Sequence, residues 1–145
     1  MFAIRQPRAE DLPALKALLD SSALPSSDLT EEHLAHFIIL AQAGRVAGSA
    51  GVEVHGEDAL LRSLAVETMM RGEGLGSRLL ELIEAHAQEH GVRRLYLLTM
   101  AADSFFTHHG YEPIARSDVP ESIRNTAQFS GICPSSAACL FKPLA

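Results

Sequence analysis

The residues best suited to chemistry lie in one short stretch. From Arg71 to Gly76 the chain reads Arg-Gly-Glu-Gly-Leu-Gly, so Gly72, Gly74 and Gly76 alternate with other residues just ahead of an apolar-periodic run. Glycine is costly in regular structure, and this spacing points to a backbone that turns tightly and comes very close to a guest. Successive N–H groups leading into a helix make that guest an anion, because they converge on it while the helix dipole adds to the attraction. Two phosphate loops fail on spacing. A dinucleotide G-x-G-x-x-G loop needs glycine where Ser77 or Leu79 stands, and a Walker loop needs a Gly-Lys-Ser/Thr ending, with no lysine nearby.

Further candidates are scattered. Arg62 interrupts the apolar run ALLRSLAV. A guanidinium binds carboxylates in a two-pronged way, so Arg62 either anchors an acidic group of a ligand or lies on a solvated sheet face or against Glu53 of the preceding strand. Glu53 and His55 are candidates to take a proton through water, or they belong to a solvated turn. His86 and His90 stand four apart on a helix, as metal ligands can, but acids beside them place both on a polar face and no metal is expected. His108 and His109 close a short helix, where capping is the default. Cys133 and Cys139 lack the paired spacing of zinc sites and read as small packing residues.

The elements that must position these groups follow from periodicity. MFAIRQP reads as a strand and AEDLPALKALLDSS as a helix, followed by a Pro- and Ser-rich connection that ends in a short helix capped by Thr30. Such connections often border substrates. Three strands then run through HFIILAQAGRVAGSAGVEVHGEDALLRSLAV, with AGR and HGED as hairpin turns. Strict alternation in the third of them sets Leu60, Arg62, Leu64 and Val66 on one face and Leu61, Ser63 and Ala65 on the other. Leu75, Leu79, Leu82, Ile83 and Ala87 form one helical stripe ending at Gly91. VRRLYLLTM is a strand covered on both faces, and ADSFFTHHGY is a short helix that Asp103 caps and Gly110 ends. The tail holds a strand, a short helix from about Pro120, an irregular Cys/Pro/Ser stretch and a last strand.

Arg71 to Gly76 matches the Q/R-x-x-G-x-G/A signature of the GNAT superfamily of N-acetyltransferases, and the order of elements is similar to that family over nearly the whole chain. The resemblance implies an α/β fold of one domain, residues 1–145. Its single mixed sheet would have an antiparallel N-terminal part and parallel, splayed fourth and fifth strands, with helices on its faces. It implies acetyl-CoA as co-substrate. Main-chain groups of Leu64, Ala65 and Val66 would pair with the pantetheine arm, Arg71, Gly72, Gly74, Leu75, Gly76 and Ser77 would surround the pyrophosphate, and Phe105 would complete that site. Arg62 and Ser63 fall on the acceptor side. The family's general acid is a tyrosine in a pattern like F-Y-x-x-x-G-F/Y, and Phe106 stands in its place in FFTHHGY. A water, Tyr111, Thr99 or no protein acid is left to protonate the thiolate, with Glu53 as a candidate base.

The segment DVPESIRNTAQFSGICPSSAAC resembles the tail of the N-acetyltransferases encoded with arsenic-resistance genes and, more distantly, the Cys/Pro tail of N-acetylglutamate synthases. That implies a small amino-acid-like acceptor with an additional acidic group, including arsenic or phosphinic analogues of glutamate. Acetylation of protein N-termini or lysines, and a non-catalytic acyl-CoA sensor, are the competing readings. Composition narrows the rest. A net charge of -6 argues against nucleic acid or an anionic membrane as partner, and a 47% hydrophobic chain with no apolar run near membrane length is expected to be globular. MFAIRQPRAED lacks the segments of a signal peptide, so a cytoplasmic setting with reduced thiols is expected. A homodimer is left open.

Overall fold

A computed structural model describes residues 2–70, 72 and 74–144. Its centre is one seven-stranded sheet in the order β1-β2-β3-β4-β5-β7-β6. The strands are β1 (Ala3–Arg5), β2 (Phe37–Gln42), β3 (Arg45–His55), β4 (Asp58–Val66), β5 (Arg94–Thr99), β6 (Glu112–Pro113) and β7 (Ala138–Pro143). Every neighbouring pair is antiparallel except β4 with β5. The helices are α1 (Leu12–Ser21), α2 (Leu75–Glu89), α3 (Asp103–His108) and α4 (Glu121–Arg124), and a 3-10 helix spans Glu31–His36. No described helix is long and apolar enough to cross a membrane.

The sheet is covered on both faces. On one, Leu79, Leu80 and Ile83 of α2 meet Leu40, Val52, Leu61, Leu95 and Leu97; on the other, Leu15, Leu18 and Leu19 of α1 meet Phe37, Ile39 and Val46. The buried stripe of α2 includes Leu80, whereas Leu82 of the expected stripe is only half-buried. Asp103 lies in the first turn of α3 and Ala102 takes the cap position, its N–H donating to Thr99 Oγ1 at 3.0 Å. Thr30 does open its helix, with its own N–H donating to His33 Nδ1 at 3.0 Å.

Alternation along β4 is broken at one residue. Gly51 pairs with Arg62 but Ser49 pairs with Ala65, so β4 carries one more residue than β3 across this step. Ser63 absorbs the excess at φ 60°, a left-handed conformation that a non-glycine residue seldom adopts. The Ser49 hydroxyl donates to its carbonyl at 2.6 Å. Consequently Leu61 faces α2, Ala65 joins the α1 side and Val66 returns to α2. The expected grouping of Leu60, Arg62, Leu64 and Val66 on one face therefore holds only up to the bulge.

Gly51 is set by packing. A Cβ there would overlap the ring of Phe37, which is fully buried and has nowhere to go. Gly51→Ala should lower stability by about 1–3 kcal/mol, the usual cost of overpacking. A fall in Tm that a second change, Phe37→Leu, partly restores is the expected result in thermal unfolding.

Candidate functional site

Strands β4 and β5 pair only from Asp58↔Arg94 to Leu60↔Tyr96. Beyond that the two parallel strands part, while β5 stays paired along its other edge with β7 as far as Thr99 opposite Ala138. An open cleft of about 820 Å³ fills the gap. Its walls bring together most of the residues singled out for the cofactor. Leu64, Ala65 and Val66 come from the end of β4, and Gly72, Gly74, Leu75, Gly76 and Ser77 come from the loop and start of α2. Thr99 and Phe105 line it as well, and so does Phe106. Arg71 lies outside the described residues.

The glycine stretch has the geometry its spacing suggests. Gly72 and Gly74 take φ of 88° and 75°, and no atom lies within 4 Å of where a Cβ would stand on either. The first helical bond, Arg78 N–H to the Gly74 carbonyl at 3.1 Å, leaves the N–H groups of Leu75, Gly76 and Ser77 ahead of the ladder at the positive end of a 15-residue helix. Ser77 Oγ also lies 3.0 Å from His109 Nε2, whose ring packs on Phe105.

The far wall is one that motif reasoning did not assign. Ser22, Ala23, Leu24 and Pro25 follow α1, and Ile132, Cys133, Pro134 and Ala137 come from the irregular tail. The Pro/Ser composition of the first segment was the only hint. Among the described residues that line the cleft none is charged. Cys133 is half-buried there, and burial, only partly offset by Arg116 and Arg62, pushes its thiol above the usual range.

Four expected site residues stand apart from this lining. Arg62 has a fully buried side chain. Its guanidinium donates to Asp28 Oδ2 and Oδ1 at 2.5 and 2.9 Å, to Glu53 Oε2 at 2.8 Å, to the Pro25 carbonyl at 3.4 Å and to Ser63 Oγ at 3.1 Å. A guanidinium has five N–H donors, and all five are used inside the protein. The expectation that Arg62 grips an acceptor directly is corrected accordingly: it ties the 25–28 loop to β3 and to the bulge. Ser63 and Glu53 are drawn into the same network, and His33 Nε2 approaches Glu53 at 3.9 Å. Tyr111 is buried, and its hydroxyl donates to Glu84 Oε2 at 2.7 Å, with Lys142 Nζ on the same carboxylate at 3.1 Å. Burial first, then the charge and hydrogen bond of Glu84, raise its pKa far above the ordinary phenol value. That ties the hydroxyl to the core side of α2, away from the cleft lining, so it is poorly placed as an acid for the cleft. Thr99 does reach the cleft, with its oxygen holding the turn into α3.

The profile of the family described as acetyltransferase (GNAT) domain matches residues 33–113, more than half of the chain. An amino-acid acetyltransferase of Neisseria meningitidis is 28% identical over 137 residues, covering 89% of this chain and 31% of that protein. One of Mycobacterium tuberculosis is 27% identical over 131 residues, covering 83% of this chain and 74% of that protein. Among solved structures, the N-acetylglutamate synthase of Neisseria gonorrhoeae complexed with coenzyme A and N-acetyl-glutamate superposes with a TM-score of 0.84 at 25% identity, over 100% of this chain and 35% of that one. The chain thus spans about a third of the length of the Neisseria relatives.

The Arg62 network makes an acid-sensitive contribution to stability. Burial alone would raise the Asp28 pKa, but the hydrogen bonds and charge of Arg62 outweigh it and hold the carboxyl below its ordinary value of 3.8. The pair therefore stabilises the fold fully above that unfolded-state value and loses its contribution as pH falls through the lower folded one. Asp28→Asn should be less stable than wild type at neutral pH, and the gap in Tm should narrow as pH drops below that value. Arg62→Lys keeps the charge but has three donors for five acceptors, so about 1–3 kcal/mol of stability should be lost for each group left unsatisfied. Any effect on turnover should be equal for acidic and neutral acceptors.

Proposed function

The chain belongs to the acetyltransferase (GNAT) domain family, and from that premise we propose that it transfers the acetyl group of acetyl-CoA to the amino group of a small amino-acid-like acceptor. One observation carries the reading: the parted ends of β4 and β5, the left-handed glycine loop and the N-terminus of α2 all open onto one cleft. The N–H groups of Leu75, Gly76 and Ser77 suit a pyrophosphate. The edge of β4 at Leu64 and Ala65 suits an extended arm that adds to the sheet as a strand would. The thioester then falls between β4 and β5, and the acceptor enters past Ser22–Pro25 and the Cys133 segment. The Mycobacterium and Neisseria relatives are named amino-acid acetyltransferases, which supports an amino acid as acceptor.

The chemistry needs little from side chains. A neutral amine attacks the acetyl carbonyl carbon, the C–S bond breaks, and the second amine proton passes through water to the departing thiolate, leaving amide and free CoA. The uncharged lining formed by the described residues helps the first step, because desolvation disfavours the ammonium form. Main-chain N–H groups near the bulge can hold the developing oxyanion. Proximity in the cleft lowers the barrier by bringing amine and thioester together. The finer reading, that the acceptor carries a second acidic group and includes arsenic or phosphinic analogues of glutamate, rests on the likeness of the tail. With Arg62 saturated, such a group would be met by main-chain donors of the far wall. Phe106 favours a second reading, a sensor that binds acetyl-CoA without turnover, since no tyrosine hydroxyl stands at that position.

Thiol release from acetyl-CoA in the presence of glutamate, phosphinothricin, neutral amino acids and peptides tests this directly. Turnover with free amino acids, highest for those with an additional acidic group, is expected. Turnover with peptides alone, or tight binding without turnover, would overturn it. Gly74→Val should abolish acetyl-CoA binding in calorimetry. Gly56→Val carries the same left-handed strain at φ 69° in the β3–β4 hairpin and should lower Tm similarly while leaving binding unchanged. Phe106→Tyr should raise turnover, by up to about 10²-fold if its hydroxyl reaches the thiolate.

A further inference from the structure

Three histidines converge on the side of the molecule where the 3-10 helix Glu31–His36 meets the C-terminal end of α2. His36 Nδ1 lies 3.0 Å from His86 Nε2. One ring nitrogen from each of His36, His86 and His90 lies within 4.8 Å of those of the other two. Sequence spacing shows only the pair His86 and His90, four apart; the fold brings in His36 from 50 residues away. His90 is exposed, as a solvated face would have it, whereas His86 is half-buried against the half-buried His36.

We propose that His36, His86 and His90 form a binding site for a divalent transition-metal ion, with zinc as the best match. The proposal is independent of the acyl-transfer reading, because none of the three lines the cleft. Imidazole nitrogens suit zinc, and three protein ligands leave a fourth position for water. With Zn–N bonds of about 2.0–2.1 Å in tetrahedral geometry, three rings radiating from one ion have centres about 5 Å apart. The ring centres here lie 5.2, 4.9 and 4.3 Å apart, so only the His86 and His90 rings need to open slightly. Orientation is already provided for one ligand. His90 Nδ1 lies 2.8 Å from the His86 carbonyl, an acceptor that fixes the proton on Nδ1 and leaves Nε2 with its lone pair outward. A ligating histidine characteristically donates its other N–H to such a carbonyl.

For His36 Nδ1 and His86 Nε2 to hydrogen-bond as neutral rings, one of the two carries a proton and the other accepts it. Metal binding moves that proton to the other nitrogen of its own ring, so two neutral imidazoles turn both facing lone pairs to the ion and no net charge is lost. The consequence is structural. His36 closes the segment that begins with the cleft wall Ser22–Pro25 and includes Asp28, whereas α2 carries the glycine loop at its other end. An ion at this point would fasten the two walls of the cleft together from behind.

Calorimetric titration of the tag-free, metal-free full chain with zinc alone is the test. Saturable binding of one equivalent and a zinc-dependent rise in Tm are expected. His90→Gln, an exposed position at the helix end, should weaken binding by more than the roughly 10–100-fold that follows loss of an outer-shell partner. His108→Gln, exposed and outside the cluster, should leave it unchanged. Cobalt(II) gives a measurement that needs no variant, since one equivalent bound by three nitrogens and a water absorbs in the visible far more strongly than the hydrated ion. No saturable binding by wild type, equal affinity in His90→Gln, or a spectrum of hydrated cobalt alone would each overturn the proposal.

Discussion

The site depends on a ladder that stops. Two parallel strands side by side would normally continue pairing, and each unmade N–H to C=O bond in a dry interior is costly. Here β4 and β5 separate after three residue pairs, while β5 stays paired along its other edge with β7, antiparallel from Arg94 to Thr99. Tyr96 and Phe141 stack across that pairing at 5.5 Å and help to hold β5 on the β7 side. The edge of β4 is thereby freed for a guest, and the apolar lining of the gap sets the chemistry that can occur in it.

A second constraint keeps the far wall in place. The segment between α1 and β2 has little regular structure and would drift if nothing held it. Arg62 holds it by forming a fork with Asp28 while bonding the Pro25 carbonyl, and it is itself positioned by Glu53 and by the bulge residue Ser63. Burying this much charge is tolerable only because each donor has an acceptor; among the described residues no buried side-chain polar atom lacks a partner. The bulge that makes room for the cluster also re-aims the end of β4, turning Leu64 and Val66 to the α2 side. One irregular residue thus links the Ser22–Pro25 wall of the cleft to the end of β4.

The parts of this arrangement that were legible in the sequence are those encoded locally. Strand and helix order, the hairpin turns, the glycine spacing and the splay implied by the family likeness all rest on periodicity or on short motifs. Ser63 was opaque, because nothing in a serine announces a left-handed backbone. Arg62 showed that it needed a partner, and Glu53 was a fair expectation from strand pairing. Asp28, 34 residues away in a loop, was not visible to any pattern. The hold on Tyr111 was hidden for a related reason, since its partner Glu84 lies on a helix 27 residues earlier. Periodicity shows which residues share an element, and it is silent about which elements meet.

The same distinction explains why the described lining of the cleft is uncharged although ion pairs lie close by. Charges near the site are spent on architecture: Arg62, Asp28 and Glu53 on the acceptor side, Glu84 and Lys142 beneath Tyr111. Among the described residues, those that line the cleft offer main chain, hydroxyl, thiol and hydrocarbon. Fixed amide dipoles stabilise charge without needing to reorganise when it develops. A lining of this kind discriminates by shape and by the number of main-chain bonds a guest can make. Small changes in the loops that carry Ser22–Pro25 and the Cys133 segment would therefore reshape one wall of the cleft while leaving the glycine loop untouched.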